Sequence, residues 1–144
     1  MSLILCLLFV VLTSAAPYKW ELCPNTSPQF VVSSSKMDPY PAVAGKNVTV
    51  TAFGVINEAV TGGTYNNTIY LEGLPVLKLK GDLCESKIIP ACTCPCKEGK
   101  YTAVITQLVP SYAITDTYTA IFEAIDAKGG VLACIKSDFE VLAE

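Results

Sequence analysis

Six of the seven cysteines, Cys23, Cys84, Cys92, Cys94, Cys96 and Cys134, constrain this chain more than any other feature, an even set spread along most of its length once Cys6 in the N-terminal apolar run is put aside. What they mean depends on the compartment. In an oxidising one an even set reads as three disulfides, with fifteen pairings open to six cysteines. In a reducing one, the cluster Cys92-Thr-Cys94-Pro-Cys96, with Cys84 as a fourth ligand, would read first as a metal site. The N-terminus decides between them. Its first sixteen residues contain no Lys, Arg, Asp or Glu, and the apolar run from Leu3 to Leu12 is too short to span a bilayer. Small residues follow, Thr13, Ser14, Ala15 and Ala16, as a signal peptidase requires. Residues 1–16 are therefore expected to be a secretory signal, with Ala15 favoured as the last residue removed because Pro17 is a poor first one. Cys6 leaves with it. Three sequons, Asn25-Thr-Ser, Asn47-Val-Thr and Asn66-Asn-Thr, agree with an oxidising, glycosylating route, so Asn25, Asn47 and Asn66 are candidate glycosylation sites. On this reading the cysteines are disulfides and no metal is expected.

The remaining residues, 17–144, suffice for one domain with a core of its own. The net charge of −3 offers no basic patch, which sets nucleic-acid binding aside. The chain has no His, so the usual general base, the Ser-His-Asp and Cys-His nucleophile systems and the commonest zinc and haem ligand are all missing. Carboxylate pairs remain in Asp82 with Glu85 and Glu123 with Asp126. Such spacings on strands and turns read as solvated surface and not as a glycosidase dyad. We expect neither an enzyme nor a cofactor.

Long 3.6-residue periodicity is absent, while β-branched and aromatic residues recur in short runs bounded by Gly, Pro, Asn and Asp. Strands are expected near Phe30 to Ser34, Asn47 to Val55, Thr64 to Leu71, Val76 to Lys80, Tyr101 to Leu108, Thr117 to Ile125 and Ala133 to Leu142. Seven such strands suggest two packed antiparallel sheets. Side chains alternate across a strand, so one fixed position orients each. Asn47, if glycosylated, faces water and sends Val48, Val50 and Ala52 inward. Asn66 likewise sends Tyr65, Ile69 and Leu71 inward. Solvated Lys78, Lys80 and Lys100 place Leu77, Leu79, Tyr101, Ala103 and Ile105 inside. The last two strands contribute Tyr118, Ala120 and Phe122, with Ile121 and Ile125 competing for the other face, and then Ile135, Phe139 and Val141. This pattern does not separate a packed core from an apolar pocket, which has the same composition.

Several segments, in order, resemble the ML (MD-2-related lipid-recognition) family: Trp20-Glu-Leu-Cys23; Asp38-Pro-Tyr-Pro-Ala-Val-Ala-Gly45 with Asn47-Val-Thr-Val-Thr51; Gly62-Gly-Thr-Tyr65; Gly73-Leu-Pro75; and Gly81-Asp-Leu-Cys84. Cys94-Pro95, Gln107-Leu-Val-Pro110, Tyr118, Asp126-Ala-Lys-Gly129 and Cys134 continue the series. Single elements are common, but the ordered set covers nearly all of residues 17–144 and most resembles the phosphatidylglycerol/phosphatidylinositol transfer branch. The resemblance implies an all-β, immunoglobulin-like sandwich of two antiparallel sheets with an apolar lipid cavity between them. It also implies bridges Cys23–Cys134 and Cys84–Cys94, leaving Cys92 with Cys96, although the closeness of Cys92, Cys94 and Cys96 keeps exchange of the last two bridges open.

On that resemblance the chain is expected to carry phospholipid, phosphatidylglycerol or phosphatidylinositol, between membranes. It would do so as a monomer, secreted or delivered to the endosomal or lysosomal lumen, touching membranes transiently. Candidate lining residues are Val48, Val50, Leu77, Tyr101, Ile105, Tyr118, Phe122 and Phe139, with Lys78, Lys80 and Lys100 available to an anionic headgroup. A sterol or fatty-acid carrier of the same fold is the first alternative; the sterol branch usually has a cysteine pair between the positions of Cys23 and Cys84 that this chain lacks. The chain also departs from the pattern at Cys92, Cys96 and the segment Pro110 to Tyr118, where a second Pro and a Gly are missing. An extracellular interaction module with a dry core is the second alternative.

Overall fold

The computed structural model describes residues 16–144; the expected signal lies outside the described residues except for Ala16. Nine strands form in the order β1 (Lys19–Leu22), β2 (Phe30–Asp38), β3 (Ala42–Val43), β4 (Asn47–Ile56), β5 (Gly63–Leu71), β6 (Leu74–Asp82), β7 (Gly99–Leu108), β8 (Asp116–Asp126) and β9 (Val131–Leu142). The seven expected strands are all present, most of them a few residues longer. The two additional ones, β1 and β3, are short and pair only with β9, β3 in parallel. One sheet runs β1-β9-β8-β5-β6 and the other β2-β4-β7. This is the expected all-β sandwich, with β6 and β7 as edge strands of different sheets.

β2 outlasts its apolar start because a bulge between Val32 and Ser34 resets its register and keeps it paired to β4 as far as Asp38↔Thr49. β5 and β6 form a hairpin whose turn residues Glu72 and Gly73 have φ of 52° and 78°. Two successive positive φ angles match the right-handed twist of the flanking strands, and the second is easiest for glycine.

The orientation deduced from alternation holds. Val48 and Ala52 are buried between the sheets, while Thr49 and Thr106 share a hydrogen bond of 3.0 Å on the exposed face. Asn25, Asn47 and Asn66 are all exposed. Tyr118, Ala120 and Ala124 are buried, which assigns Ile121 and Ile125 to the other face of β8.

Three disulfides clasp the sandwich. Cys23 is bonded to Cys134, 111 residues away, and its N–H donates to the Cys134 carbonyl. Cys84 is bonded to Cys94 and Cys92 to Cys96, with Cα separations of 5.9 and 5.1 Å. These are the pairings that the family resemblance implies. The last two knot the segment 83–98 between β6 and β7. That segment is held at both ends: Cys96 and Val60 exchange backbone hydrogen bonds, and the Ile88 carbonyl accepts from Val104 of β7.

At the β8–β9 turn Asp126 is nearly buried and acts as a hub. Its carboxylate accepts from the Gln29 side chain and from the N–H groups of Lys128 and Gly130. Those bonds, with the Gln29 amide foremost and then Gly130, hold its carboxyl below the usual carboxylate range despite its burial.

Candidate functional site

A sandwich of this size ordinarily fills the space between its sheets with one contiguous cluster of side chains. Here the buried residues fall into two. One gathers Phe30, Val32, Ile56, Val60, Cys96 and Leu132, and the other Ala42, Val48, Val109, Tyr118, Phe139 and Val141. Val50 and Ile105 point inward from the central parts of β4 and β7, yet neither is fully buried, and Ile69, Phe122 and Ile135 are likewise only half-buried on the opposing sheet. The interior surface of these residues remains accessible because the two sheets do not close on each other there.

The result is a cavity of about 350 Å³ between the sheets. Its floor comes from the disulfide-knotted segment, through Leu83, Ile88, Ile89, Cys92, Cys94 and Cys96. Its mouth lies at the other end, where Val76, Leu108, Tyr112 and Ile114 both line the cavity and remain exposed, Tyr112 at 80%. Among the described residues that line it, none is charged. By comparison with an apolar cavity of about 150 Å³ that holds one benzene, the space has room for on the order of a dozen carbons.

Seven of the eight lining residues expected from the sequence do line it: Val48, Val50, Leu77, Ile105, Tyr118, Phe122 and Phe139. Tyr101 does not. It faces inward as expected, at the start of β7, and packs against the first cluster, while its hydroxyl donates to the Lys97 carbonyl at 2.7 Å. Alternation fixed its face; on the edge strand β7 that exposed bond holds the hydroxyl away from the space that Ala52 and Ile56 line at the same level. Phe122 stacks on Tyr65 and Tyr118 on Phe139, with ring centroids 5.8 and 6.1 Å apart, so the aromatic rings of the larger sheet are paired with one another along it.

The polar lining is sparse. Tyr18 and Ser35 share a hydrogen bond of 2.8 Å near Ser137, and the Tyr118 hydroxyl donates to the Ile114 carbonyl at 2.9 Å. Burial pushes both phenols above their ordinary value, against the opposing effect of those hydrogen bonds. Asn67 of β5 also lines the cavity, and its Oδ1 is buried with no hydrogen-bond partner in the protein. Sequence reasoning missed it, although the alternation that sends Tyr65 and Ile69 inward from Asn66 sends Asn67 with them. Lys78, Lys80 and Lys100 are exposed and none of them lines the cavity. Lys46, also exposed, is joined to the lining through its backbone, its carbonyl accepting from the N–H of Val109.

Comparison with known proteins bears on what such a cavity is for. The ML domain family matches residues 17–141 of this chain. A Dictyostelium discoideum protein provisionally named as a phosphatidylglycerol/phosphatidylinositol transfer protein is 27% identical over 143 residues, covering 98% of this chain and 100% of its own. Among solved structures, the Niemann-Pick type C2 protein of the Japanese carpenter ant superposes with a TM-score of 0.68 at 14% identity, over 85% of this chain and 98% of its own. Chicken MD-1, solved in complex with lipid IVa, superposes with a TM-score of 0.60 at 17% identity, over 85% of this chain and 88% of its own. At these identities the two structures establish a shared sandwich fold.

Proposed function

Because this chain belongs to the ML domain family, we propose that it is a lipid carrier, not an enzyme, taking lipid from one membrane into the cavity between its sheets and delivering it to another. The observation that carries this reading is the uncharged cavity of about 350 Å³, with exposed apolar side chains at its mouth. A bare acyl chain of some sixteen carbons faces on the order of 12 kcal/mol in water at about 0.8 kcal/mol per methylene. Exchange of a bilayer for an apolar cavity replaces one dry environment with another and removes most of that obstacle.

Phospholipid is the proposed cargo, supported by the name of the Dictyostelium discoideum relative. Since the lining carries no charge, an anionic headgroup would stay outside, at the mouth, with the exposed Lys46 proposed as its cation because its backbone is bonded to Val109 of the lining. Room for about a dozen carbons suits one chain, so a two-chain lipid requires the sheets to part along the β6 and β7 edges. That constraint favours a second reading, a carrier of a single-chain lipid such as a fatty acid, whereas a sterol, with about twice that number of carbons, asks for the same parting. Residues 1–16 as a secretory signal, sugars on Asn25, Asn47 and Asn66, and a secreted or lysosomal destination complete the proposal, in keeping with three disulfides. The chain is expected to act as a monomer that meets membranes briefly.

The test is to express the protein in a secretory host, purify it without detergent and identify extracted lipid by mass spectrometry. Stoichiometric phosphatidylglycerol or phosphatidylinositol, together with transfer between vesicles, supports the phospholipid reading. Stoichiometric fatty acid moves it to the second, and stoichiometric sterol to a carrier whose sheets part in the same way. Protein recovered empty that takes up no lipid from vesicles would sink both.

A further inference from the structure

Most polar side chains on the cavity wall are satisfied locally: Tyr18 with Ser35, Tyr118 with the Ile114 carbonyl, and Gln107 with the Leu108 carbonyl. Asn67 is not. Its register sets it between Leu79 on β6 and Phe122 on β8, with Ile69 two residues along the same face. It stands four residues from Leu71, at the mouth end of β5, which at roughly 3.3 Å per residue is about 13 Å into the sandwich. A buried carbonyl oxygen without a donor destabilises the fold that carries it. Valine or isoleucine would suit this strand position and pack against the same neighbours. The missing donor must be neutral, because no charged side chain lines the cavity to offset an ionised group.

Taking the lipid-carrier reading as its basis, we infer that Asn67 is a specificity-determining residue that accepts a hydrogen bond from an alcohol hydroxyl on the buried part of the lipid. A hydroxyl on an acyl chain and the hydroxyl of a sterol inserted polar end first both offer that donor. An unsubstituted chain leaves Oδ1 unpaired and forfeits the contact. The same oxygen therefore weakens the empty protein and strengthens one class of complex, so its removal acts on the two with opposite sign.

Two probe pairs separate the sources: 12-hydroxystearate against stearate, and cholesterol against cholestane, each bound to the detergent-free, delipidated glycoprotein. The wild type is expected to favour the hydroxylated member of at least one pair about ten-fold, equivalent to about 1.4 kcal/mol. Preference within the first pair identifies a hydroxyacyl lipid, and within the second a sterol. Asn67→Val keeps the Asn66 sequon and is expected to erase that preference and to melt no lower than wild type when empty. Asn67→Ser, which retains one polar atom, is expected to fall between and serves if the valine packs badly. Equal affinity within both pairs in a wild type that takes up stearate would overturn the inference and leave the carrier reading standing, as would a preference that survives in Asn67→Val. Failure of the wild type to take up any of the four probes would overturn this inference, and the carrier reading falls with it where the protein also takes up no phospholipid from vesicles.

Discussion

Filling the cavity from within should stabilise the empty protein and abolish its uptake of lipid. Ala103 of β7 is the position to use: it lines the cavity, its side chain is only half-buried, and it pairs with Ala52 of β4, so neither neighbouring side chain crosses the gap. In Ala103→Phe the ring would enter existing space. Burying a phenylalanine side chain contributes about 1.5–3 kcal/mol, and fixing its rotamers costs roughly 1 kcal/mol. The net is about 0.5–2 kcal/mol, or a rise in Tm of roughly 2 to 8 °C for a domain of this length. The ring would also occupy on the order of a third to a half of a space sized for a dozen carbons, so vesicle-to-protein transfer of a fluorescent lipid should fall at least ten-fold. A closed core predicts the reverse sign, because overpacking costs about 1–3 kcal/mol. Scanning calorimetry of the delipidated protein decides between them. A Tm lowered by several degrees would refute the open cavity.

Loss of the long clasp in Cys23→Ser with Cys134→Ser should cost about 4–5 kcal/mol on the chain-entropy estimate for its separation of 111 residues, against about 2 kcal/mol for Cys92→Ser with Cys96→Ser at a separation of 4. Urea titration of both pairs checks the order, and equal losses would discredit the entropic account. Because the Asp126 carboxyl is held below the usual carboxylate range, its stabilisation is fully present above that range and is lost as pH falls beneath it. Wild type should accordingly keep this contribution at pH 5 and lose it below about pH 4, whereas Asp126→Asn should start less stable and lose less on acidification. Lys46→Glu should slow transfer of phosphatidylglycerol several-fold while leaving transfer of a zwitterionic lipid unchanged, and equal slowing of both would remove Lys46 from headgroup contact. Enzymatic deglycosylation should shift the protein made in a secretory host in up to three steps, one for each of Asn25, Asn47 and Asn66, all of which are exposed.

The strands were legible because alternation is a backbone property: once Asn47 and Asn66 are outside, Val48, Val50 and Ile69 have no other face to occupy. β1 and β3 escaped for the opposite reason. Lys19–Leu22 is four residues at a sheet edge, and Ala42–Val43 is two residues following Pro39 and Pro41, too short to alternate at all. Tyr101 has the expected face but not the expected surroundings, since alternation does not say where a long side chain on an edge strand sends its hydroxyl. The cavity floor was illegible: Ile88 and Ile89 lie outside any strand and are brought inward by Cys84–Cys94 and Cys92–Cys96. Asn67 was legible but overlooked, because a polar residue on an inward position is easily read as a break in the pattern.

Whether the inward face forms a core or a cavity depends on a quantity that composition does not hold, the sum of side-chain lengths across the facing sheets. Packed sheets lie about 10 Å apart, and opposing side chains must together bridge that distance. Ala52 and Ala103 sit side by side on the smaller sheet, while Ala120, Ala124 and Ala133 occupy β8 and β9 of the larger one. The large residues beside them, Phe122 and Tyr118, stack on Tyr65 and Phe139 within their own sheet. Methyl groups on both walls cannot meet over such a gap, so a sandwich with alanine at inward positions on both sheets either collapses out of register or stays open. The long closure from Cys23 to Cys134 and the knotted floor oppose collapse by holding both ends of the larger sheet. Inward alanines on both sheets were thus the trace of the cavity in the sequence, interpretable only once the pairing of strands says which alanines belong to which wall.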